Sequence, residues 1–189
     1  MVETHNSFFT LLTQVFGFNN VIKEWDVARN SQDDFTRRIY CPRVDYAIGP
    51  FSIDMEIDQN QVVISQAYEN YRDLINQLQQ NSDFKYRCMN LNNIPRCFIV
   101  IELENTTSEK HKMGSIINAS ALGKIGIIIA PNEKVYHNIS RLRKYLEFLK
   151  GVGKIDYSPN NVLIMKQYCF IQVLSNWLSS SGSTITSLR

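Results

Sequence analysis

The chain has 189 residues, 44% of them hydrophobic and 20% charged, which excludes a disordered polar chain and suits one folded domain. Twenty basic against 18 acidic residues leave a formal charge of +2, so bulk charge does not single out a nucleic-acid partner. Cys41, Cys88, Cys97 and Cys169 are widely spaced with no C-x-x-C pair, which argues against a zinc ribbon or a redox motif and reads as reduced, mostly buried thiols. Met1 to Asn6 carry an acid and no basic cluster, and Thr10, Thr13 and Gln14 interrupt the apolar stretch that follows. Neither a signal peptide nor a membrane span is readable, and the expected location is cytoplasmic.

In chain order, Phe8, Leu11, Leu12, Val15 and Phe16 recur at helical spacing, which predicts a helix over Ser7 to Phe18 with Ser7 as N-cap. Arg37 to Cys41 and Arg43 to Ile48 read as strands, and Gly49-Pro50 as a turn before a further strand, Phe51 to Ile57. Ser65 opens a second predicted helix to Gln80, with Tyr68, Tyr71, Ile75 and Leu78 on one face. Cys97 to Glu104, dense in β-branched and apolar residues, is the strongest strand. Thr106 and Glu109 have capping-box spacing for a helix to Leu122, with Gly123 as its C′ residue, and an apolar strand, Lys124 to Ala130, follows at once. Strand, helix and strand in succession predict two parallel strands through a right-handed crossover. Asn132 caps a long helix striped by Val135, Ile139, Leu142, Leu146 and Leu149 and ended at Gly151, with Lys134, Arg141, Arg143, Lys144 and Lys150 as a basic face. A short strand over Asn161 to Met165 leads to a last helix reaching Leu178, and the serine-rich stretch 179–189 reads as a mobile tail. The expected fold is therefore mixed α/β (α+β), a central mixed sheet flanked by helices, in one domain over residues 1–178.

Strand alternation places Phe98, Val100, Glu102 and Glu104 on one face of their strand, so two carboxylates end one face of a buried element. Residues two apart on a strand lie roughly 6.5–7 Å apart at their Cα atoms, close enough to converge on one cation. Without a cation they repel and resist ionising. Two glutamates where a strand merely reaches solvent would be unremarkable; Asp45, projecting opposite to Val44, Tyr46 and Ile48, adds a third acid in a matching setting. Hard oxygen ligands of this kind suit Mg²⁺. Asp54, Glu56 and Asp58 alternate along the expected Phe51–Ile57 strand and its end as a second, weaker set, more simply read as a wet edge. His5, His111 and His137 show no metal-ligand spacing, and Gly114, Gly123 and Gly126 form no phosphate loop, which argues against nucleotide hydrolysis.

Pro42-Arg43-Val44-Asp45-Tyr46, followed by a hydrophobic strand ending Glu102-Leu103-Glu104, resembles the motif of the PD-(D/E)XK, restriction-endonuclease-like nucleases. The order of elements from Ser7 to Ala130 is similar to that family's α-β-β-β-α-β core, with the helix between Asp45 and Glu102 as an insertion. The resemblance implies a Mg²⁺- or Mn²⁺-dependent DNA endonuclease in which Asp45, Glu102 and Glu104 hold the metal. It departs from the pattern at Glu104, where the family usually has lysine. A minority of restriction endonucleases carry Glu at that position and remain active, and other families of the superfamily place the basic group on the following helix, where Lys110 or Lys112 would stand in. Glu24 matches an extra acid of some members but reads more simply as a surface residue, and is not placed in the site. A homodimer through the second helix is the assembly such an enzyme would use to cut both strands. The rival expectation is a non-catalytic nucleic-acid-binding or protein-interaction module that keeps the fold, for which Glu104 is the evidence.

Overall fold

A computed structural model describes residues 2–27, 43–52, 57–85, 89–156 and 158–185. Five strands form one sheet in sequence order: β1 (Val21–Trp25), β2 (Val44–Phe51), β3 (Cys97–Leu103), β4 (Gly123–Ala130) and β5 (Val162–Lys166). β1, β2 and β3 run antiparallel to their neighbours, whereas β3, β4 and β5 run parallel, so the sheet is mixed as expected. Helix α1 (Val2–Phe16) precedes it, α2 (Ile57–Asn70) and α3 (Arg72–Gln80) lie between β2 and β3, α4 (Glu109–Leu122) joins β3 to β4, α5 (Glu133–Gly151) joins β4 to β5, and α6 (Gln167–Ile185) follows.

The central strands read as near-continuous apolar runs because helices cover both faces. Phe8 and Leu12 of α1, Ile64 of α2, Leu74 and Leu78 of α3 and Phe170 and Leu174 of α6 pack one face against Ile99, Ile101, Ile125 and Ile127. Ile116 and Ala119 of α4 and Ile139 and Leu146 of α5 pack the other against Val100, Ile128 and Ile164. Helix α4 approaches the sheet so closely that a Cβ on Gly126 would lie 2.9 Å from the Ala119 Cβ, so glycine is what allows the contact. The α4–β4 junction is further pinned by two asparagine amides: Asn161 donates to the carbonyls of Ser120 and Gly123 at 3.0 and 3.1 Å, and Asn92 donates to Ser120, Ala121 and Gly123. These contacts fix the helix that walls the site described below.

Several local expectations are corrected. The first helix begins at Val2, so Ser7 is inside it rather than its cap. β1 was not foreseen, although Val21, Ile22 and Trp25 are good strand formers. Gly49-Pro50 is a cis peptide within β2 and not a turn. Asp58 lies on α2, not on a strand; Asp54 and Glu56 fall outside the described residues, as do Pro42 and the expected strand over Arg37 to Cys41. The single helix expected from Ser65 starts at Ile57 and is broken at Tyr71. Its apolar stripe is spent on the core, where Ile75 and Leu78 are buried with Tyr68 and Tyr71 packed against them, so that stripe is not a free dimer face. A one-residue slip between Ile48 and Phe51 in the β2–β3 ladder accompanies the turn of Phe98 onto the Tyr71 side, away from Val100.

Further along, Ser108 and not Thr106 caps α4, accepting from the His111 amide at 3.3 Å. Gly123 has φ −86°, so it is not a left-handed C′ residue but the first residue of β4. Asn132 caps α5 as expected, accepting from the Val135 amide. Arg143, assigned to the basic face of that helix, is fully buried instead, while Lys134, Arg141, Lys144 and Lys150 are exposed. α6 continues to Ile185, through seven of the 11 residues expected to be a mobile tail, with the Ser179 and Ser180 hydroxyls bonded back to the carbonyls of Ser175 and Asn176. Cys97 and Cys169 are free thiols, buried and half-buried, while Cys41 and Cys88 lie outside the described residues. No helix among the described residues is long and apolar enough to cross a membrane.

Candidate functional site

The ladder of β2 and β3 pairs Tyr46 with Ile101, so one step further on Asp45 faces Glu102 across the strands. At this end the carboxylates replace backbone pairing: the Leu103 amide donates to Asp45 Oδ2 at 2.7 Å, and the Asp45 amide lies 3.4 Å from Glu102 Oε2. Like charges opposite one another on a sheet repel. Glu102 is only 8% exposed, and its carboxyl is pushed up to about 9, first by burial and then by Asp45, with Glu104 and Glu24 adding to the effect. Tyr46 beside them is raised to about 12, again by burial first, then by Asp45 and Glu24.

Glu104 follows directly, its amide paired to Ile129, and is 2% exposed. Its two oxygens are engaged by neutral donors, Oε1 by the Thr106 amide at 2.8 Å and Oε2 by the Ser115 hydroxyl at 3.0 Å. The third acid thereby ties the end of β3 to the second turn of α4. Across from the acids, α4 presents Lys110, His111, Gly114, Ser115 and Asn118 to a cleft of about 610 Å³ that Asp45, Glu102 and Glu104 line from the sheet side. Five of the residues expected to work together are thus distributed unequally: Asp45, Glu102, Glu104 and Lys110 share the cleft, whereas Lys112 does not line it. The Lys112 ammonium is buried and bonded to Glu109 at 3.0 Å. Helix periodicity accounts for this, since positions 111, 114, 115 and 118 form one face and 112, 116 and 119 the neighbouring, sheet-facing one.

Glu24 also lines the cleft, paired to Arg43 at 3.6 Å. Its φ of 53° is in the left-handed region, uncommon for a residue with a Cβ and characteristic of functional positions. Reading it as a detached surface glutamate missed β1, which carries it to the acids; the β-branched and aromatic residues Val21, Ile22 and Trp25 were the available signal.

No protein-family model, curated protein or solved structure matches the chain.

Among the described residues no three His, Cys, Asp or Glu side chains stand close enough together to hold a metal ion in this arrangement. The donor set nonetheless suits a hard divalent cation. Oxygen ligands predominate, and Glu102 is buried among acids that raise its pKa against the hydrogen bond it accepts from the Asp45 amide, so a cation between Asp45 and Glu102 would relieve that repulsion.

Proposed function

We propose that the protein is a metal-dependent DNA endonuclease of the PD-(D/E)XK class, hydrolysing phosphodiester bonds in the cleft between β2, β3 and α4, in the cytoplasm. The observation that carries this reading is the Asp45–Glu102 pair, two carboxylates opposed across adjacent strands at the mouth of a cleft whose other wall carries Lys110 and His111. Element order supports it: with α2 and α3 set aside as an insertion between β2 and β3, one helix, three antiparallel strands, a helix and a parallel strand follow in the order of the resemblance.

Asp45 and Glu102 would hold Mg²⁺ or Mn²⁺, with Glu104 as the third oxygen donor at the cleft. Bound there, the cation would lower the pKa of an attacking water and balance charge on the phosphate. The chain's own residues divide the remaining work. Lys110 gives the phosphate a cationic contact from α4. Glu104 holds α4 in register with β3 through Ser115 and Thr106, so the acid wall and the basic wall keep their spacing. Burial of Glu102 restricts water around the pair, which strengthens every charge interaction there.

A second reading is the non-catalytic module, favoured by the full engagement of Glu104 and by the absence of a gathered acidic triad among the described residues. One experiment separates the two. Purified protein incubated at low salt with large, sequence-diverse duplex and single-stranded DNA should cut it in Mg²⁺ or Mn²⁺, and Asp45→Ala and Glu102→Ala should each abolish cutting while remaining folded by circular dichroism. Failure of the wild type to cut with either metal would leave the module as the better reading.

A further inference from the structure

Gly114 is the sixth residue of a helix of 14, an interior position where glycine lowers helix stability relative to alanine. Such a glycine ordinarily has a reason in the chain itself. Gly126 has one, the contact with Ala119, and Gly17 and Gly153 have another, their positive φ. Gly114 has neither: its φ is not positive, and a Cβ built on it would meet nothing within 4 Å; Gly151 shares both features but is the last residue of α5, where a glycine does not interrupt a helix. What lies beyond it is the cleft, which it lines between His111 and Asn118.

We infer that Gly114 keeps the α4 backbone bare so that a nucleic-acid strand can lie against the helix, its sugar–phosphate chain running along Lys110, His111, Gly114 and Asn118. The choice of ligand rests on the nuclease reading, and the steric argument is independent of it. Positions 111, 114 and 118 follow one another along a single helix face, so a strand following that face meets donors at both ends and a gap in side-chain volume between them. Lys110 supplies positive charge for phosphate oxygens; His111 and Asn118 supply side-chain groups that hydrogen-bond sugar or phosphate oxygens. The opposite wall carries the acids Asp45, Glu102 and Glu104, and its Arg43 is paired to Glu24, so the helix face takes the strand's charge. Gly114 is on this account a positioning residue, and its effect is steric.

The test uses two substitutions with different bulk, Gly114→Ala and Gly114→Leu, in the full-length protein. The readouts are thermal unfolding and fluorescence anisotropy with fluorescein-labelled mixed-sequence single-stranded and duplex oligonucleotides in Ca²⁺. Gly114→Ala should raise Tm by about 2–4 °C, because alanine is the better helix former and touches nothing. The same substitution should weaken oligonucleotide binding about tenfold, and Gly114→Leu should weaken it further without lowering Tm below that of the wild type. A raised Tm with unchanged Kd would overturn the inference, and so would a lowered Tm, since it would show that the glycine serves internal packing. If the wild type cuts DNA and Gly114→Ala binds and cuts equally well, the inference fails and the nuclease reading stands. If the wild type binds oligonucleotides, Gly114→Ala weakens that binding, and no metal supports cutting, the nuclease reading fails and the inference stands. A wild type that binds neither oligonucleotide overturns the inference.

Discussion

Two buried carboxylates, Glu102 at the end of β3 and Asp83 in the turn after α3, are kept in opposite company. Burial is the first cause raising the pKa of each. At Asp83 the Arg143 guanidinium, 2.9 Å away, leads the effects that pull back down. Arg143 is fully buried, donates to the Val162 carbonyl at 3.3 Å and lies 4.5 Å over the Phe84 ring, while Asp83 exchanges two hydrogen bonds with Ile164. The pair closes the outer edge of β5 under α5. At Glu102 the neighbouring charges are Asp45, Glu104 and Glu24, and all of them push further up. At Asp83 the fold sets a cation against the buried charge, although burial and Glu147 still leave its pKa raised; at Glu102 what pulls back down is a backbone amide, that of Asp45, and that is the difference expected between a carboxyl that holds the fold and one that, on the function proposed above, takes a cation.

The largest expected effect breaks the Asp83–Arg143 ion pair. Arg143→Met removes one partner of a buried pair and leaves Asp83 enclosed without its cation, which should cost about 3–5 kcal/mol in urea unfolding. Adding Asp83→Leu should recover most of that loss, because the penalty lies in the stranded charge. If Arg143→Met costs less than about 1 kcal/mol, the two carboxylates do not differ in the way drawn above.

Glu102 should answer in the opposite sense. A carboxyl raised from 4.5 to about 9 holds a proton in the folded state that the unfolded chain has already lost. Stability is then greatest below pH 4.5 on account of this group and falls as the pH rises from there towards 9. At about 1.36 kcal/mol per pH unit the loss reaches roughly 3 kcal/mol by pH 7. Glu102→Gln should therefore be more stable than wild type at pH 8 and flatten the pH profile between 5 and 9, as followed by Tm. Millimolar Mg²⁺ or Mn²⁺ should raise the wild-type Tm at pH 8, by roughly 2–3 kcal/mol of stabilisation at a hundredfold excess over Kd, and raise that of Glu102→Gln much less. A Tm unmoved by either metal in the wild type would remove the cation from the account.

The two regions were unequally legible in the sequence. Glu102, Glu104 and Asp45 could be read because strand alternation fixes which residues share a face, and the β3–α4–β4 succession fixes a parallel pair. Asp83 and Arg143 could not: they are 60 positions apart, and a basic residue on an amphipathic helix looks solvated until the turn that meets it is known. Lys112 was misplaced for a related reason, since helix phase separates it from Lys110 by about 200° and only packing decides which of the two faces the cleft. Glu24 was lost with β1, a strand of five residues in which two apolar residues are followed by two charged ones, so it carries no period-two pattern. Local pattern was enough for elements and faces; pairings of distant charges needed the fold.

Glu104 lies between the two extremes, a buried acid answered by neutral donors rather than by a cation or by other acids, and Ser115 is the handle on it. Ser115→Ala removes the hydroxyl that donates to Glu104 Oε2 at 3.0 Å and leaves the Thr106 amide on the other oxygen. A hydrogen bond to a charged group is worth about 1.5–3 kcal/mol, and alanine returns a few tenths as the better helix former, so a net loss of about 1–2 kcal/mol is expected. Ser115→Thr, which keeps the hydroxyl, should retain most of the stability. Because the lost bond ties α4 to β3, Ser115→Ala should also weaken oligonucleotide binding along α4, whereas Ser108→Ala, which removes only the helix cap, should cost about 1 kcal/mol and leave that binding unchanged. Equal stability of Ser115→Ala and wild type would mean that the fold does not depend on this bond, and Glu104 would then be free to turn towards Asp45 and Glu102 and complete the acidic set.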